Sequence, residues 1–177
     1  YDLASGEVIW ECGGQVGNVT PCPVTDGKHV YCTSGYTGSA MYAIPLDAQG
    51  DVTDTDTIAW FQRKHAPYVP SPLLYGSELI FNKSNSALVF AIDVKTGEWL
   101  NEGTRLSGLA NMYASPVGAA ERIYIVGRDG NTAVLERGPE LRLLELNSLG
   151  ERVDASPAVV GKHLYLRGEH HLYSIGP

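Results

Sequence analysis

A proline, three residues, a glycine or alanine, two residues and an aliphatic side chain recur four times, at Pro23-Gly27-Val30, Pro72-Gly76-Leu79, Pro116-Ala120-Ile123 and Pro157-Gly161-Leu164. Successive prolines are 49, 44 and 41 residues apart. A period in this range marks a supersecondary unit that cannot bury its apolar surface alone and must pack on copies of itself. Each copy reads as a short strand ending near the proline, a tight turn, an apolar and aromatic strand, a polar loop, a third strand and a fourth. Asp26-Gly27 supplies the first turn, because glycine accepts the positive φ that a two-residue hairpin needs, and this register sets Cys22 opposite Tyr31. Third strands are expected at Met41-Tyr42-Ala43-Ile44, Leu88-Val89-Phe90-Ala91-Ile92, Ala133-Val134-Leu135 and Leu172-Tyr173-Ser174-Ile175. Fourth strands follow from Ile58-Ala59-Trp60, Trp99-Leu100 and Leu143-Leu144-Glu145-Leu146. No segment sustains a helical apolar period.

The expected fold is therefore all-β, a β-propeller built of four-stranded antiparallel blades, with four blades' worth of chain. An immunoglobulin-like sandwich would use irregular Greek-key connections and has no need of one proline-to-glycine offset in every unit. The whole of 1–177 reads as a single propeller segment. An N-terminal strand D occupies 1–12, blade 1 occupies 16–63, blade 2 occupies 67–106, blade 3 occupies 111–147, and blade 4, lacking its own strand D, occupies 152–177. The opening stretch Asp2-Leu3-Ala4-Ser5-Gly6-Glu7, with Trp10 after it, matches Asp93-Val94-Lys95-Thr96-Gly97-Glu98-Trp99, a C-to-D turn leading into strand D. The ends of the chain are thus expected to close a ring on themselves or to pair with another chain.

Composition narrows the function. Thirteen basic against twenty acidic residues give a formal charge of −7 with no basic run, so there is no cationic field for nucleic acid. The apolar runs are a few residues long, such as Ile123-Tyr124-Ile125-Val126, too short for a membrane-spanning helix or a signal-peptide core. Cys12, Cys22 and Cys32 are an odd count, evenly spread, which suits neither a disulfide framework nor a zinc knuckle. Pairing of Cys22 with Cys32 stays open.

The pattern Asp-x-x-(Ser/Thr)-Gly-Glu leading to Trp, with a Leu-Tyr-x-Ile strand elsewhere in the repeat, resembles the PQQ-like β-propeller repeat family along essentially the whole chain. Tyr68-Val69-Pro70-Ser71-Pro72-Leu73-Leu74-Tyr75-Gly76, Tyr113-Ala114-Ser115-Pro116-Val117 and Ala155-Ser156-Pro157 are similar to the C-terminal half of exported bacterial proteins of this type. The family usually builds seven- or eight-bladed rings, so four blades look like half of one, and a start in mid-blade without an initiator methionine suits a piece of a longer protein. The resemblance implies an exported, periplasmic location. It also implies either a non-catalytic scaffold, similar to the lipoprotein of the outer-membrane barrel-assembly machinery, or part of a quinone-dependent oxidoreductase whose cofactor residues lie outside this chain. An enzyme of that kind would show two adjacent cysteines against the quinone and a calcium cage, and neither is written here. Gly6 and Gly97 then serve turns, and Trp10, Trp60 and Trp99 pack between blades.

No catalytic residue, metal ligand or cofactor is assigned. The acidic stretch from Asp47 to Asp56 lacks the order of a calcium loop and reads as a solvated C-to-D connection. His170-His171 would point to opposite faces of a strand and cannot share one ion there. In a propeller the D-to-A and B-to-C loops gather on one face, where rigid strands present variable side chains. Those loops carry Asn18, Tyr36, His65, Tyr68, Lys83, Asn85, Asn111, Arg128, Asp129, Asp154, Arg167 and His170, the expected face for a protein or small-molecule partner. Apolar end blades point further to a homodimer completing an eight-blade ring, with a closed four-blade monomer as its rival.

Overall fold

In the computed structural model, which describes residues 1–83 and 86–177, the repeat becomes four successive sheets. Strand β1 (Trp10–Glu11) comes first. Blade 1 holds β2 (Val24–Thr25), β3 (His29–Ser34), β4 (Ala40–Pro45) and, beyond the two-residue β5 (Gly50–Asp51), β6 (Trp60–Gln62). Blade 2 is β7 (Leu73–Tyr75), β8 (Glu78–Lys83), β9 (Leu88–Asp93) and β10 (Trp99–Arg105). Blade 3 is β11 (Val117–Ala119), β12 (Arg122–Val126), β13 (Asn131–Glu136) and β14 (Leu143–Ser148). Blade 4 has β15 (Ala158–Val160), β16 (His163–Arg167) and β17 (Leu172–Ile175). Every blade is an antiparallel meander, and the described residues contain no helix.

One register repeats throughout. The aliphatic residue of each proline motif pairs with an aliphatic residue of strand C: Val30 with Ile44, Leu79 with Ile92, Ile123 with Leu135, Leu164 with Ile175. Alternation then sends one set of side chains toward the preceding blade and the other toward the next.

The structure corrects four details of the sequence reading. Each proline opens strand A instead of closing an earlier strand, since a residue without an N–H suits the position before the ladder begins. The residue ahead of it is Cys22, Ser71, Ser115 or Ser156, and these link the blades in series. Cys22 N donates to Ser71 Oγ, Ser71 N to Ser115 Oγ and Ser115 N to Ser156 Oγ, each at 2.9 Å. The first hairpin turn has two residues but sits one step along, at Gly27-Lys28: Asp26 N donates to His29 O at 3.4 Å, and the Asp26 carboxylate accepts the N–H groups of Lys28 and His29 at 2.8 and 2.7 Å. Val24, not Cys22, therefore faces Tyr31, and all three cysteines are free thiols.

The acidic C-to-D connection of blade 1 is only partly solvated. Ala48 and Val52 are buried, and β5 pairs in parallel with β1. The N-terminal strand thus lies on the open face of blade 1, and β1 is not paired with β17 of blade 4. Trp10 and Cys12 pack there against Ala40, Tyr42, Ile44, Ala48 and Val52.

The Asp2–Glu7 turn does repeat the Asp93–Glu98 turn bond for bond: Asp2 and Asp93 carboxylates each accept two N–H groups, and Gly6 and Gly97 donate to the carbonyls of Asp2 and Asp93. By its spacing after that turn, however, Trp10 follows Asp2 as Asn101 follows Asp93, and so corresponds to Trp60 and not to Trp99. Trp60 pairs with Ala43 as Asn101 pairs with Ala91, while Trp99 is one step earlier, opposite Ile92. Trp60 Nε1 reaches across to Val94 O in blade 2 at 2.7 Å, and Asn101 Nδ2 reaches Pro139 O in blade 3 at 2.9 Å. Gly97 is fixed by this contact: a Cβ there would lie 2.7 Å from the Trp60 ring, at φ +72°.

The blades stack through their faces. Tyr31, Met41, Ala43 and Trp60 meet Leu79, Phe81, Phe90 and Ile92 between blades 1 and 2. Ile80, Val89, Ala91 and Leu106 meet Ile123, Ile125, Ala133 and Leu135 between blades 2 and 3. Burial of each large side chain stabilises the stack by about 1.5–3 kcal/mol. A smaller cluster of Ala114, Val126, Val153 and Leu166 joins blades 3 and 4.

Candidate functional site

The D-to-A and B-to-C loops interlock on one face. Arg128 N donates to Asn111 O at 2.8 Å, Leu149 N to Gly130 O at 3.1 Å and Glu169 N to Arg152 O at 3.0 Å. Val16 N likewise donates to Ser34 Oγ at 3.0 Å, and Gly17 N to Thr37 Oγ1 at 3.2 Å. Gly130 permits the approach, since a Cβ there would overlap the Glu151 carbonyl oxygen at 1.9 Å.

On blades 1 and 2 this face is aromatic. Tyr36, more than half exposed, packs at a tilt against Tyr68 with ring centroids 4.8 Å apart. His65 is drawn inward instead, 4.6 Å from the Phe90 ring and edge-on to Trp99 at 5.5 Å. Burial, with Lys83 and Lys64 near it, depresses the imidazole pKa and keeps the ring neutral. Asn18 is exposed at φ +58°, with its carbonyl accepting from Thr20 Oγ1. Asn85 lies outside the described residues. Asn82, next to Lys83 at the end of β8, is fully buried with neither amide atom hydrogen-bonded. Thr33 Oγ1, at the corresponding place in blade 1, is also buried and unpartnered.

On blades 3 and 4 the face is charged, arginines and carboxylates standing together. The Arg128 guanidinium lies 4.2 Å from the Tyr113 ring centroid and donates Nε to Asp154 Oδ1 at 2.6 Å. Arg152 Nη2 is 2.8 Å from the other carboxylate oxygen, so Asp154 holds two arginines. Arg167 is exposed beside them and, with Arg152, Asp154, Gly168 and Glu169, lines an open cavity of about 320 Å³. Asp129 does not join this group; its carboxylate accepts from Asn131 N and Nδ2 and caps its own loop. Asn111 adopts φ +49° with a buried, unpartnered Oδ1.

His170 donates its backbone N–H to Glu151 Oε2 at 2.7 Å. Glu151 was not legible as a site residue. Its other oxygen accepts from Tyr173 OH at 2.5 Å and lies 3.0 Å from His171 Nδ1. The Tyr173 hydroxyl first, then the His170 N–H and His171, outweigh desolvation and bring the carboxyl pKa down to about 2. Arg152 and Tyr113 were also missed, although both stand within two residues of a residue that the sequence did single out.

The described residues hold no cluster of three or more His, Cys, Asp or Glu side chains able to grip a metal ion. The face thus presents arginines held by Asp154 and, on blades 1 and 2, a tilted pair of tyrosine rings.

No family model and no curated protein sequence matches the chain; solved structures do. BamB from Moraxella catarrhalis matches at a TM-score of 0.66 and 18% identity, over 89% of this chain and 46% of that one. The chain has a β-propeller fold. The computationally designed Ika4 protein is similar to this propeller at a TM-score of 0.72 and 12% identity, over 97% of this chain and 99% of the other. A europium-containing methanol dehydrogenase matches at 0.56 and 14% identity, over 71% of this propeller and 24% of that enzyme. The propeller thus spans less than half the length of BamB, and at these identities the likeness is one of fold.

Proposed function

We propose that this propeller is a non-catalytic binding scaffold of an exported protein, acting through its loop face on a partner that bears carboxylates. The arginine group carries the reading. Asp154 and Tyr113 hold Arg128 and Arg152 in place, leaving Arg167 exposed at the edge of an open cavity on a chain whose net charge is −7. Guanidinium groups fixed before binding lose little rotamer freedom on meeting a carboxylate, and a planar fork matches its two oxygens. Tyr36 and Tyr68 add a wall on which an apolar or aromatic side chain of a protein partner can rest. Export and a periplasmic place follow the sequence resemblance, and a second copy of the chain is proposed as a further partner at the blade ends.

The test is a calorimetric titration with a glutamate-rich peptide and a glutamine-rich one of equal length. The acidic peptide is expected to bind, and binding should weaken at least tenfold in the R152A/R167A double variant. Equal binding by the variant overturns the reading. Titration with PQQ and calcium serves as the contrast: a stoichiometric submillimolar complex would favour the quinone-dependent alternative.

A further inference from the structure

Blade 2 carries a group of cations where its strands run out onto the loop face. Lys83 and Arg105 both pair with Leu88, one from each side, so the three side chains stand in a row across β8, β9 and β10 and leave the sheet on the same face. Leu88 packs into the seam with blade 1, which fixes that face as the one turned toward blade 1. The D-to-A loop of blade 1 brings two more nitrogen groups to the same margin. Lys64 is clasped to Glu102 of β10, and His65 rests against Phe90 and Trp99.

The group lacks the counter-charges of a stabilising ion network. On blades 3 and 4, Asp154 holds Arg128 and Arg152 together. Here, among the described residues, neither Lys83 nor Arg105 forms an ion pair. The Arg105 guanidinium donates Nη1 to Ser86 O at 3.1 Å, which leaves Nε and Nη2 uncommitted. Glu102 is the one carboxylate that acts on His65, and Lys64 already holds it. Burial first, then Lys83 and Lys64, keep the imidazole neutral. Like charges gathered at one margin repel each other even on a chain whose net charge is −7, and an anion from solution removes that cost.

We propose that Lys83 and Arg105, reaching over the Leu88 side chain, bind a phosphate dianion. Neighbouring strands lie about 4.8 Å apart, so the two backbones are about 10 Å apart and both long side chains can close on one anion between them. A phosphoryl group carries about −1.5 to −2 charges at pH 7 and so matches two free cations, where a carboxylate would neutralise one. The arginine fork takes two of its oxygens and the lysine ammonium a third. The site is separate from the Arg128, Asp154 and Arg152 group and does not depend on it.

His65 reports on the anion, because a dianion held at Lys83 favours the protonated ring. Proton NMR of the full chain follows the five histidines against pH in phosphate and in chloride of equal ionic strength. His65 should titrate about half a pH unit or more higher in phosphate. His29, which opens β3 at the turn end of blade 1, should not move. Methyl phosphate in place of inorganic phosphate separates an ester from the free ion: an equal rise assigns the site to phosphate esters as well, and a rise with inorganic phosphate alone confines it to the free ion. K83M/R105M keeps both stems over Leu88 and drops both charges. In that variant His65 should titrate higher in chloride, having lost Lys83, and should rise no further in phosphate, while an unchanged circular dichroism spectrum shows the fold intact. The R152A/R167A variant should keep the full response. Equal titration of His65 in the two salts overturns the proposal. A response that survives K83M/R105M, or one lost in R152A/R167A, overturns it by placing the anion elsewhere. An equal response to the glutamate-rich peptide overturns it by making this margin a carboxylate-binding surface.

Discussion

At the seam of blades 1 and 2, Tyr31 stacks on Trp60 at 5.8 Å and Phe81 on Phe90 at 5.3 Å, a thick aromatic layer to which Trp60 Nε1 and Gln62 Nε2 add bonds to the carbonyls of Val94 and Gly97. Between blades 3 and 4 the buried set shrinks to Ala114, Val126, Val153 and Leu166, and a cavity of about 460 Å³ opens beside Tyr124, Val159, Leu164 and Ile175. That seam is held by its loops instead, through Glu151 with Tyr173 and His171 and through Arg128 with Asp154. The same fold can therefore join blades by dry aromatic packing or by polar latches over a thin apolar layer. A latch adds directionality and a dependence on pH that packing lacks.

The largest effect should come from Phe81→Ala, which empties a fully buried site in a seam with rigid neighbours and should cost about 3–5 kcal/mol. Leu166→Ala, in the thin seam beside a cavity that can collapse, should cost nearer about 2 kcal/mol. Urea denaturation of both variants checks the contrast. Hydrogen exchange should show β15 and β17 opening before β8 and β9 in the parent protein. Equal losses and uniform exchange would erase the distinction between the seams.

Next in size is the latch. Glu151 is held at about 2, below its ordinary range, so its contribution is complete above roughly pH 4.5 and is lost as the pH falls through about 2. Tyr173→Phe removes the main cause of that depression. The variant should melt about 2–4 °C below the parent at pH 7, with the gap closing toward pH 2. A gap that stays constant down to pH 2 would mean that the hydroxyl acts without the carboxylate. The smallest effects sharpen the comparison inside the loop face. Arg128→Ala should cost about 1–2 kcal/mol, through the Tyr113 ring and Asp154. Arg167→Ala should stay within about 0.5 kcal/mol. Thermal unfolding of the two variants reads the difference directly.

The strands were legible because the period placed them: the proline motif, the alternating apolar residues and the Asp-x-x-(Ser/Thr)-Gly-Glu turn all describe local geometry. The polar bonds between blades were not. Glu151 finds Tyr173 across 22 residues and Arg128 finds Asp154 across 26, and nothing local selects those partners over other loop carboxylates or hydroxyls. The serine before three of the four prolines stood in plain view, yet its meaning depends on which blade follows. The Trp10 equivalence slipped because Gly6 and Gly97 mark the same turn, while strand β10 carries a register shift between Trp99 and Asn101 that sequence spacing cannot reveal. The first turn slipped by one residue because the Asp26 carboxylate caps the N–H groups of Lys28 and His29, leaving Gly27-Lys28 as the turn where the dipeptide alone pointed to Asp26-Gly27.

The serine-to-backbone series bears on how such a molecule changes size. Each link asks the same thing of either neighbour, a main-chain donor on one side and a small side-chain acceptor on the other, so it cannot count. A duplicated blade inserted anywhere would find both of its connections ready. The number at which a circle closes must then be set elsewhere, by the wedge angle that bulky or small side chains impose on each seam. Trading Phe81 and Phe90 for the alanine and valine of the thinner seam would alter curvature, and with it the circumference at which the two ends meet.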